Sequence, residues 1–142
     1  MIELMREFYA EAHLCLDLAW AENAFSHVLQ HSELGCVWLA ERDNIAAGHI
    51  VLTLRYTMEH GALTGYIDDL FVRPEFRRQR IAHALVSELV RESKRLRCRS
   101  VCVEVGDHDA PAIGLYRGFG LEPFQEGRLL LHRALCTADD SD

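Results

Sequence analysis

The sequence is poor in positive charge and has no long apolar run. Its 15 Lys and Arg residues are outnumbered by 22 Asp and Glu residues, which gives a formal net charge of -7. This balance argues weakly against a nucleic-acid partner, because phosphate binding is driven by a basic surface. It fits a cationic small substrate, although an acidic surface that serves only solubility is the simpler interpretation. No apolar stretch approaches the roughly 20 residues of a membrane span, so no membrane partner is expected.

Paired cysteines and a targeting segment are also missing. The number of cysteines is odd, their spacing is scattered and no CxxC pair occurs, so neither a disulfide framework nor a zinc site is expected. The N-terminus, MIELMREFYAE, is acidic where a signal peptide needs a basic and then an apolar run. We therefore predict a cytoplasmic protein with reduced thiols. The five cysteines are Cys15, Cys36, Cys98, Cys102 and Cys136.

The histidines do not supply a metal site either. His49, His60, His108 and His132 lack the spacing of metal ligands. Each is interpreted as a solvated or hydrogen-bonded side chain, and no metal is predicted.

What the chain does have is enough apolar residues for one folded domain. Its 142 residues fit a single domain, and 49% of them are hydrophobic, which is too many for a disordered chain. We assign the domain to residues 1–135. Residues 136–142 are predicted to be an acidic tail with no means of packing.

Hydrophobic periodicity and turn residues predict helices first and strands afterwards. Asp43 and Asn44 predict a tight hairpin turn between two strands. The predicted helices lie within residues 1–30, with a break near residues 11–16, at residues 77–97, and from about Pro111 to Gly118 or Gly120. The predicted strands are residues 36–42, 45–57, 66–72, 100–105 and 128–135, and residues 59–65 are predicted to be a loop.

This order of elements predicts an α/β (α+β) fold with a mixed, mostly antiparallel central sheet and helices on both faces. Strand 66–72, the helix that follows it and strand 100–105 form a βαβ unit, so those two strands should be parallel. The strands before them form a meander and should be antiparallel.

The most informative stretch is residues 72–84, VRPEFRRQRIAHA, where a strand ends, a loop follows and a helix begins. The free N–H groups and the dipole of a helix start form an anion site. Arg77, Arg78 and Arg80 add positive charge there, and Ala82 lets a bulky anion approach the first turn. These features predict phosphate or pyrophosphate binding, and they fit an ordinary basic first turn about equally well.

The same stretch resembles motif A of the GNAT superfamily of N-acetyltransferases, in which a strand ending in Val-x-Pro is followed by Arg/Gln-x-x-Gly-x-Gly/Ala. A second family element, Asn-x-x-Ala-x-x-Leu-Tyr-x-x-x-Gly-Phe, has a counterpart further along the chain. The two elements occur in order, and the resemblance covers roughly residues 36–135. The matching residues are Val72, Pro74, Arg77, Arg78, Gln79, Arg80, Ile81 and Ala82, and then Asp109, Ala112, Leu115, Tyr116, Gly120 and Leu121.

Three residues depart from the family pattern. Arg80 stands where the family usually has glycine, so its side chain either crowds the bound anion or pairs with it. Asp109 replaces asparagine, and a carboxylate accepts hydrogen bonds but cannot donate them as an amide does. Leu121 replaces phenylalanine, which changes only packing.

The resemblance implies acetyl-coenzyme A as co-substrate. In the family, the acetyl-pantetheine arm lies in a split between two parallel strands, which would here be strands 66–72 and 100–105. The backbone of the first of these strands would bind the arm as an added strand. The implied cofactor-binding residues are Leu70, Phe71, Val72, Arg77, Arg78, Gln79, Arg80, Ile81, Ala82, Asp109 and Ala112.

The resemblance also implies catalytic roles. Tyr116 matches the tyrosine that protonates the coenzyme A thiolate, although a buried aromatic core residue is the alternative. In polyamine-type and other small-amine acetyltransferases to which this segment is similar, a carboxylate pair occupies the positions of Asp68 and Asp69, and Asp68 is the first choice as base. Neighbouring strand residues alternate in direction, so the two carboxylates are expected on opposite faces. Glu104 and a water chain are further candidates for the base.

The function implied is an N-acetyltransferase that moves an acetyl group from acetyl-coenzyme A to a primary amine of a small molecule or peptide by direct attack. The first alternative is an acyl-coenzyme A-binding module without turnover. A nucleic-acid binder that uses the loop arginines is less favoured, because no aromatic residues interleave them. The acceptor itself is not identified by the sequence.

The front end of the chain departs from the family as well. Family members usually open with a strand before the first helix, whereas here the segment MREFYAE begins at residue 5. We therefore predict that the first strand is absent and that the sheet starts with residues 36–42. An exposed strand edge invites pairing with another chain, so a homodimer is expected. The alternative is an edge shielded by the charges of Glu41 and Arg42.

Overall fold

The computed structural model describes residues 1–123. Within this range the chain forms four α-helices, four strands and one turn of 3-10 helix. The helices are α1 (Ile2–Glu11), α2 (Leu18–Gln30), α3 (Ile81–Arg95) and α4 (Ala110–Gly118), and the 3-10 turn is Pro74–Phe76. The strands are β1 (Gly35–Arg42), β2 (Ile45–Thr57), β3 (Ala62–Val72) and β4 (Ser100–Val103).

The four strands form one mixed sheet in the order β1-β2-β3-β4. The first two pairs are antiparallel, and β3 and β4 are parallel, as predicted. Asp43 and Asn44, with φ of 51° and 60°, make the tight turn between β1 and β2. A two-residue hairpin turn often needs this left-handed conformation, which Asp and Asn tolerate better than most residues.

Helices cover both faces of the sheet, as predicted. On one face, α1 and α2 contribute Met5, Ala21 and Phe25 to a cluster with Val51 of β2. On the other face, α3 and α4 pack on the inner strands. That larger cluster contains Ile50, Leu52, Ile67, Val72, Leu85, Val86, Leu89 and Tyr116.

Three predicted boundaries are wrong. β3 begins at Ala62, because residues 62–65 continue the ladder with residues 54–57 of β2. α3 begins at Ile81, since the residue before it, Arg80, has a left-handed conformation that a right-handed helix cannot contain. β4 ends at Val103 and does not reach residue 105. The predicted strand 128–135 and the predicted tail lie outside the described residues.

The start of the sheet agrees with the prediction. α1 begins at Ile2, no strand precedes it in the described part of the chain, and β1 pairs only with β2. β1 is therefore an edge strand whose outer N–H and C=O groups have no partner strand within residues 1–123.

Candidate active site

A β-bulge in β3 brings both candidate base carboxylates to the same face of the sheet. Asp69 pairs with Val51 and Ile67 pairs with Leu52, so Asp68 is the extra residue between them. An extra residue shifts the alternation of side chains by one position. Both aspartates therefore line one cleft, and the prediction that they point to opposite faces is wrong.

The cleft lies between these carboxylates and the first two helices and has a volume of about 240 Å³. Aromatic side chains form much of its wall, with Tyr9 from α1 and Trp20 and Phe25 from α2. Phe25 is buried, whereas the Trp20 side chain is 58% exposed. The remaining lining residues are Met5, Ala24, Val28, Val51 and Thr53.

The carboxylates repel one another and lack a Lys or Arg partner within residues 1–123. Asp68 keeps an exposed surface, yet partial desolvation, followed by repulsion from Asp69 and Glu104, raises the pKa of its carboxyl. Desolvation and both aspartates also raise the pKa of the Tyr9 hydroxyl. A cation placed in this cleft would relieve the repulsion.

Glu104, the third candidate base, is engaged with a tyrosine. Desolvation of Tyr66, the nearby negative charge of Glu104 and a hydrogen bond between the two side chains raise the pKa of Tyr66 to about 12. Glu104 follows β4, outside the strand in which it was predicted. Among residues 1–123 no side-chain hydrogen bond engages Asp68 or Asp69, so both carboxylates remain candidate bases.

His49 of β2 does not match its predicted environment. Its side chain has no exposed surface, and neither ring nitrogen has a hydrogen-bond partner within residues 1–123. The ring lies between Phe25 and Phe71, with centroid distances of 6.1 and 6.3 Å. The interpretation as a solvated or hydrogen-bonded histidine is therefore wrong. Its Nε2 lies 4.0 Å from Oδ2 of Asp69, which places a buried polar ring beside the candidate base.

Tyr116 lies on the opposite face of the sheet. Its side chain is only 7% exposed and packs in the larger core cluster. Desolvation, with a smaller contribution from Asp109, raises the pKa of its hydroxyl to about 12, so the group is protonated at neutral pH. Tyr116 also lines a wide concavity of about 1290 Å³ along β4 and α4.

The α1–α2 face and the α3–α4 face of the sheet are connected by a gap where β3 and β4 separate. Their pairing ends at Ile67 and Val103, while β3 continues to Val72. Residues 69–72 therefore pair with β2 on one edge, and residues 68–72 have no partner strand on the other edge within residues 1–123. This free edge can accept another extended chain, and it lies between the carboxylates and the tyrosine face.

The start of α3 is uncapped, unlike the starts of α2 and α4, where Asp17 and Asp109 accept backbone N–H bonds. The first backbone bond into α3 runs from the Ala84 N–H to the Arg80 carbonyl, which leaves the preceding N–H groups free of helical partners. Arg78 and Arg80 both have left-handed φ values, 58° and 64°. This conformation explains why glycine suits position 80.

The loop arginines divide into two groups. Arg73 makes a bidentate contact with Glu7 at 2.8 Å, and Arg77 contacts Glu11 at 2.6 Å and the Val72 carbonyl at 2.9 Å. These two residues fasten α1 to the end of β3. Among the described residues, no salt bridge or side-chain hydrogen bond engages Arg78 or Arg80, so their guanidinium groups are available to a ligand.

Asp109 and Ala112 are joined by a hydrogen bond. The Asp109 side chain accepts the Ala112 N–H at 3.0 Å and caps α4, the helix that carries Tyr116. The cap needs only an acceptor, so replacing the family asparagine by aspartate preserves it.

Tyr9, Trp20, Phe25 and His49 were not predicted as site residues. The helical spacing of Trp20, Ala24 and Val28 was visible in the sequence and indicated one face of α2. This face of α2 lies against Asp68 because of contacts between segments that are distant in the chain. No local pattern in the sequence indicates such contacts.

The mixed sheet, the separated parallel strands and the helix that follows them form the GNAT-like acyl-coenzyme A N-acyltransferase fold. The family model described as "Acetyltransferase (GNAT) family" matches residues 2–121. The chain therefore belongs to the GNAT family of acetyltransferases.

Three similar proteins illustrate the relationship. An integron cassette protein from the mobile metagenome of Cole Harbour Salt Marsh is 36% identical, with a TM-score of 0.84 over 96% of this chain and 83% of that one. A predicted acetyltransferase from Clostridium acetobutylicum, solved with acetyl-coenzyme A, has a TM-score of 0.76 at 18% identity, over 92% of this chain and 86% of that one.

The third is a Bacillus subtilis (strain 168) protein, provisionally named a ribosomal protein bS18-alanine N-acetyltransferase. It is 27% identical over 104 residues, which are 73% of this chain. The match spans 65% of the length of that relative.

Residues 1–123 contain neither a metal-binding cluster nor a membrane-spanning helix. No group of three or more His, Cys, Asp or Glu side chains there is arranged to hold a metal ion. None of the helices in the same range has both the length and the apolar character of a membrane span.

Proposed function

We propose that this protein transfers an acetyl group from acetyl-coenzyme A to the primary amine of a small molecule or peptide by direct attack. The observation that carries the proposal is the gap between β3 and β4 in the described chain. Carboxylates without a Lys or Arg partner among residues 1–123 lie on one face of the sheet, and Tyr116 lies on the other. An amine and a thioester that enter from different sides would meet there.

The co-substrate would be held at two places. The pyrophosphate would bind the free N–H groups at the start of α3, with Arg78 and Arg80 nearby, since a helix N-terminus favours an anion. The amides of the pantetheine arm would pair with the open edge of residues 68–72, as an added strand does. Leu70, Phe71 and Val72 would contribute backbone groups to this edge.

The chemistry would begin with proton removal from the ammonium group by Asp68 or Asp69. The freed nitrogen attacks the thioester carbon, so that a C–N bond forms and the carbonyl oxygen becomes negative. The C–S bond then breaks, the carbonyl forms again, and the thiolate leaves. Tyr116 gives its proton to that thiolate and recovers one from solvent, while the nitrogen loses its second proton to the carboxylate or to water.

Two measurements test this function. Acetyl-coenzyme A at 100 times its Kd should stabilise the folded protein by about 2.7 kcal/mol, which raises the Tm by roughly 5–10 °C. Release of free thiol in the presence of a panel of primary amines should report turnover. A raised Tm without thiol release for any amine would favour the binding module, and a Tm unmoved by millimolar acetyl-coenzyme A would refute the cofactor assignment.

The change Arg80→Gly tests the phosphate-binding role. Because the Arg80 side chain has no partner among the described residues, we expect it to pair with the cofactor phosphates. The variant should raise the Kd of acetyl-coenzyme A roughly 3- to 10-fold and weaken its salt dependence, as measured by calorimetry at two salt concentrations.

Arg97→Gly is the matched control, since Arg97 is also an exposed arginine with left-handed φ, 60°, at the other end of α3. Both variants remove the same backbone strain, but only Arg80→Gly should change the affinity. Tighter binding by Arg80→Gly would mean that the side chain crowds the anion.

A homodimer and a cytoplasmic location remain predictions. The free outer edge of β1 supports the dimer, because an unpaired edge favours pairing with a second copy. Glu41 and Arg42 near the end of this strand oppose it. Sedimentation equilibrium at high protein concentration would distinguish a homodimer from a monomer.

A further inference from the structure

We propose that the cleft beside Asp68 and Asp69 selects a primary amine that carries an aromatic ring on a short linker, that is, an arylalkylamine. The inference rests on the proposed acetyl transfer for its chemistry and adds the substrate class. Three features of the cleft carry it: its charge, its walls and its size.

The negative charge of the cleft favours a ligand with one cationic group, bound at the end where Asp68 and Asp69 lie. Asp68 and Asp69 are adjacent, repel each other, and have no Lys or Arg partner in the described part of the chain. An ammonium group bound between them would satisfy both carboxylates and would stand at the gap through which the thioester is reached. The same carboxylates could then accept its proton.

The walls of the cleft favour a ligand whose part beyond the ammonium group is apolar. Seven of the ten described lining residues are apolar or aromatic, and Thr53 is the one neutral polar side chain without a ring. Tyr9, Trp20 and Phe25 offer ring faces and edges that suit another aromatic ring. Trp20 is 58% exposed, so a ligand ring would cover apolar surface that water now contacts.

The position of Trp20 is fixed by its backbone. Its N–H donates to Oδ1 of Asp17, the cap of α2, at 3.0 Å. The capped first turn fixes the backbone of Trp20, so only its side-chain torsions need to be ordered when a ligand covers the ring.

The size and polarity of the cleft argue against larger or multiply charged acceptors. At about 240 Å³ the cleft is smaller than the roughly 300–1,000 Å³ of sites for drug-sized ligands. A polyamine carries a second ammonium group, and the described lining offers no anion for it other than Asp68 and Asp69. Burying an unpaired charge is costly.

The test compares primary amines of different structure as acceptors, with the 142-residue chain and acetyl-coenzyme A. Thiol release should give phenethylamine a kcat/KM at least about 10-fold above n-butylamine, spermidine and a peptide that begins with alanine, because burying the ring removes apolar surface from water. Trp20→Ala should lower kcat/KM for phenethylamine about 10-fold, mainly through KM, with a smaller loss for n-butylamine. Leu29→Ala, at an exposed position in the last turn of the same helix, should match the wild type.

A binding measurement without acetyl-coenzyme A separates this inference from the proposed function. Phenethylamine should quench tryptophan fluorescence in the wild type and not in Trp20→Phe, which retains Trp38. Quenching without turnover of any amine would uphold the ligand class and overturn the acetyl transfer. Preferred turnover of spermidine or of the peptide would uphold acetyl transfer and overturn the ligand class, and the absence of both quenching and turnover would overturn both.

Discussion

The change Tyr116→Phe should lower kcat by about 100-fold or more while the Kd of acetyl-coenzyme A stays within about twofold. The variant removes one hydroxyl from a buried ring and keeps the packing of the ring against the core. With its pKa near 12, the hydroxyl carries a proton at neutral pH and can pass it to a departing thiolate. Single-turnover kinetics should be measured, because they report the chemical step and not product release.

Tyr56→Phe provides the control for Tyr116→Phe. Tyr56 is 65% exposed, and its hydroxyl donates to the Gly61 carbonyl at 2.6 Å in the turn between β2 and β3, away from the proposed chemistry. The two variants lose the same atom, so only Tyr116→Phe should slow the reaction. An unaltered single-turnover rate for Tyr116→Phe would return Tyr116 to a purely structural role in the core.

The change Asp68→Asn should lower kcat/KM by roughly 100- to 1,000-fold, since an amide cannot accept the amine proton. In the wild type, kcat/KM should fall as the pH drops through the raised pKa of Asp68, because the base becomes protonated. The variant should lack this acidic limb of the profile. The measurement is kcat/KM as a function of pH with an amine of constant charge over the range.

The Tm of Asp68→Asn shows whether its loss of activity comes from the missing base or from unfolding of the variant. The pKa of Asp68 is higher in the folded than in the unfolded chain, so the folded state binds the proton more tightly. Stability is therefore lost as the pH rises through this range, and ionised Asp68 destabilises the fold at neutral pH. Asp68→Asn should not lower the Tm at pH 7. If Asp69→Asn, and not Asp68→Asn, abolishes the acidic limb, then Asp69 is the base.

The bulge at Asp68 explains how one strand can serve both substrates. It turns Asp68 and Asp69 towards the α1–α2 face, while Leu70 and Val72 continue to point into the α3–α4 core. The same strand leaves the edge of residues 68–72 open beyond the last pair with β4. A regular strand in this register would place Asp69 on the core face with Ile67, where a carboxylate would have no partner.

The arginine-rich loop also has a structural function that its motif did not suggest. Arg73 and Arg77 hold α1 through Glu7 and Glu11, and the Arg77 guanidinium lies 5.8 Å from the centre of the Phe71 ring. The loop therefore joins α1 to the end of β3, between the faces proposed for the amine and for the cofactor. Only Arg78 and Arg80 remain without a described side-chain partner, so the positive charge available to an anion is smaller than the sequence suggested.

The sequence by itself determined the order of the elements, the hairpin turn, the parallel βαβ unit and the start of α4. These features depend on local chemistry: Asp43 and Asn44 tolerate left-handed backbone, and Asp109 caps the helix three residues before Ala112. The family motifs are of the same kind, because the N–H groups at a helix start and the residues beside them are neighbours in the chain.

Only the tertiary structure decided which side chains share the site. The face of Asp69 depends on the register between β2 and β3, which one extra residue reverses, and strand periodicity alone does not reveal a bulge. The cleft walls come from α1 and α2, about 40 to 64 residues earlier in the chain. The burial of His49 beside Asp69 results from the same packing of distant segments, which no local pattern of residues encodes.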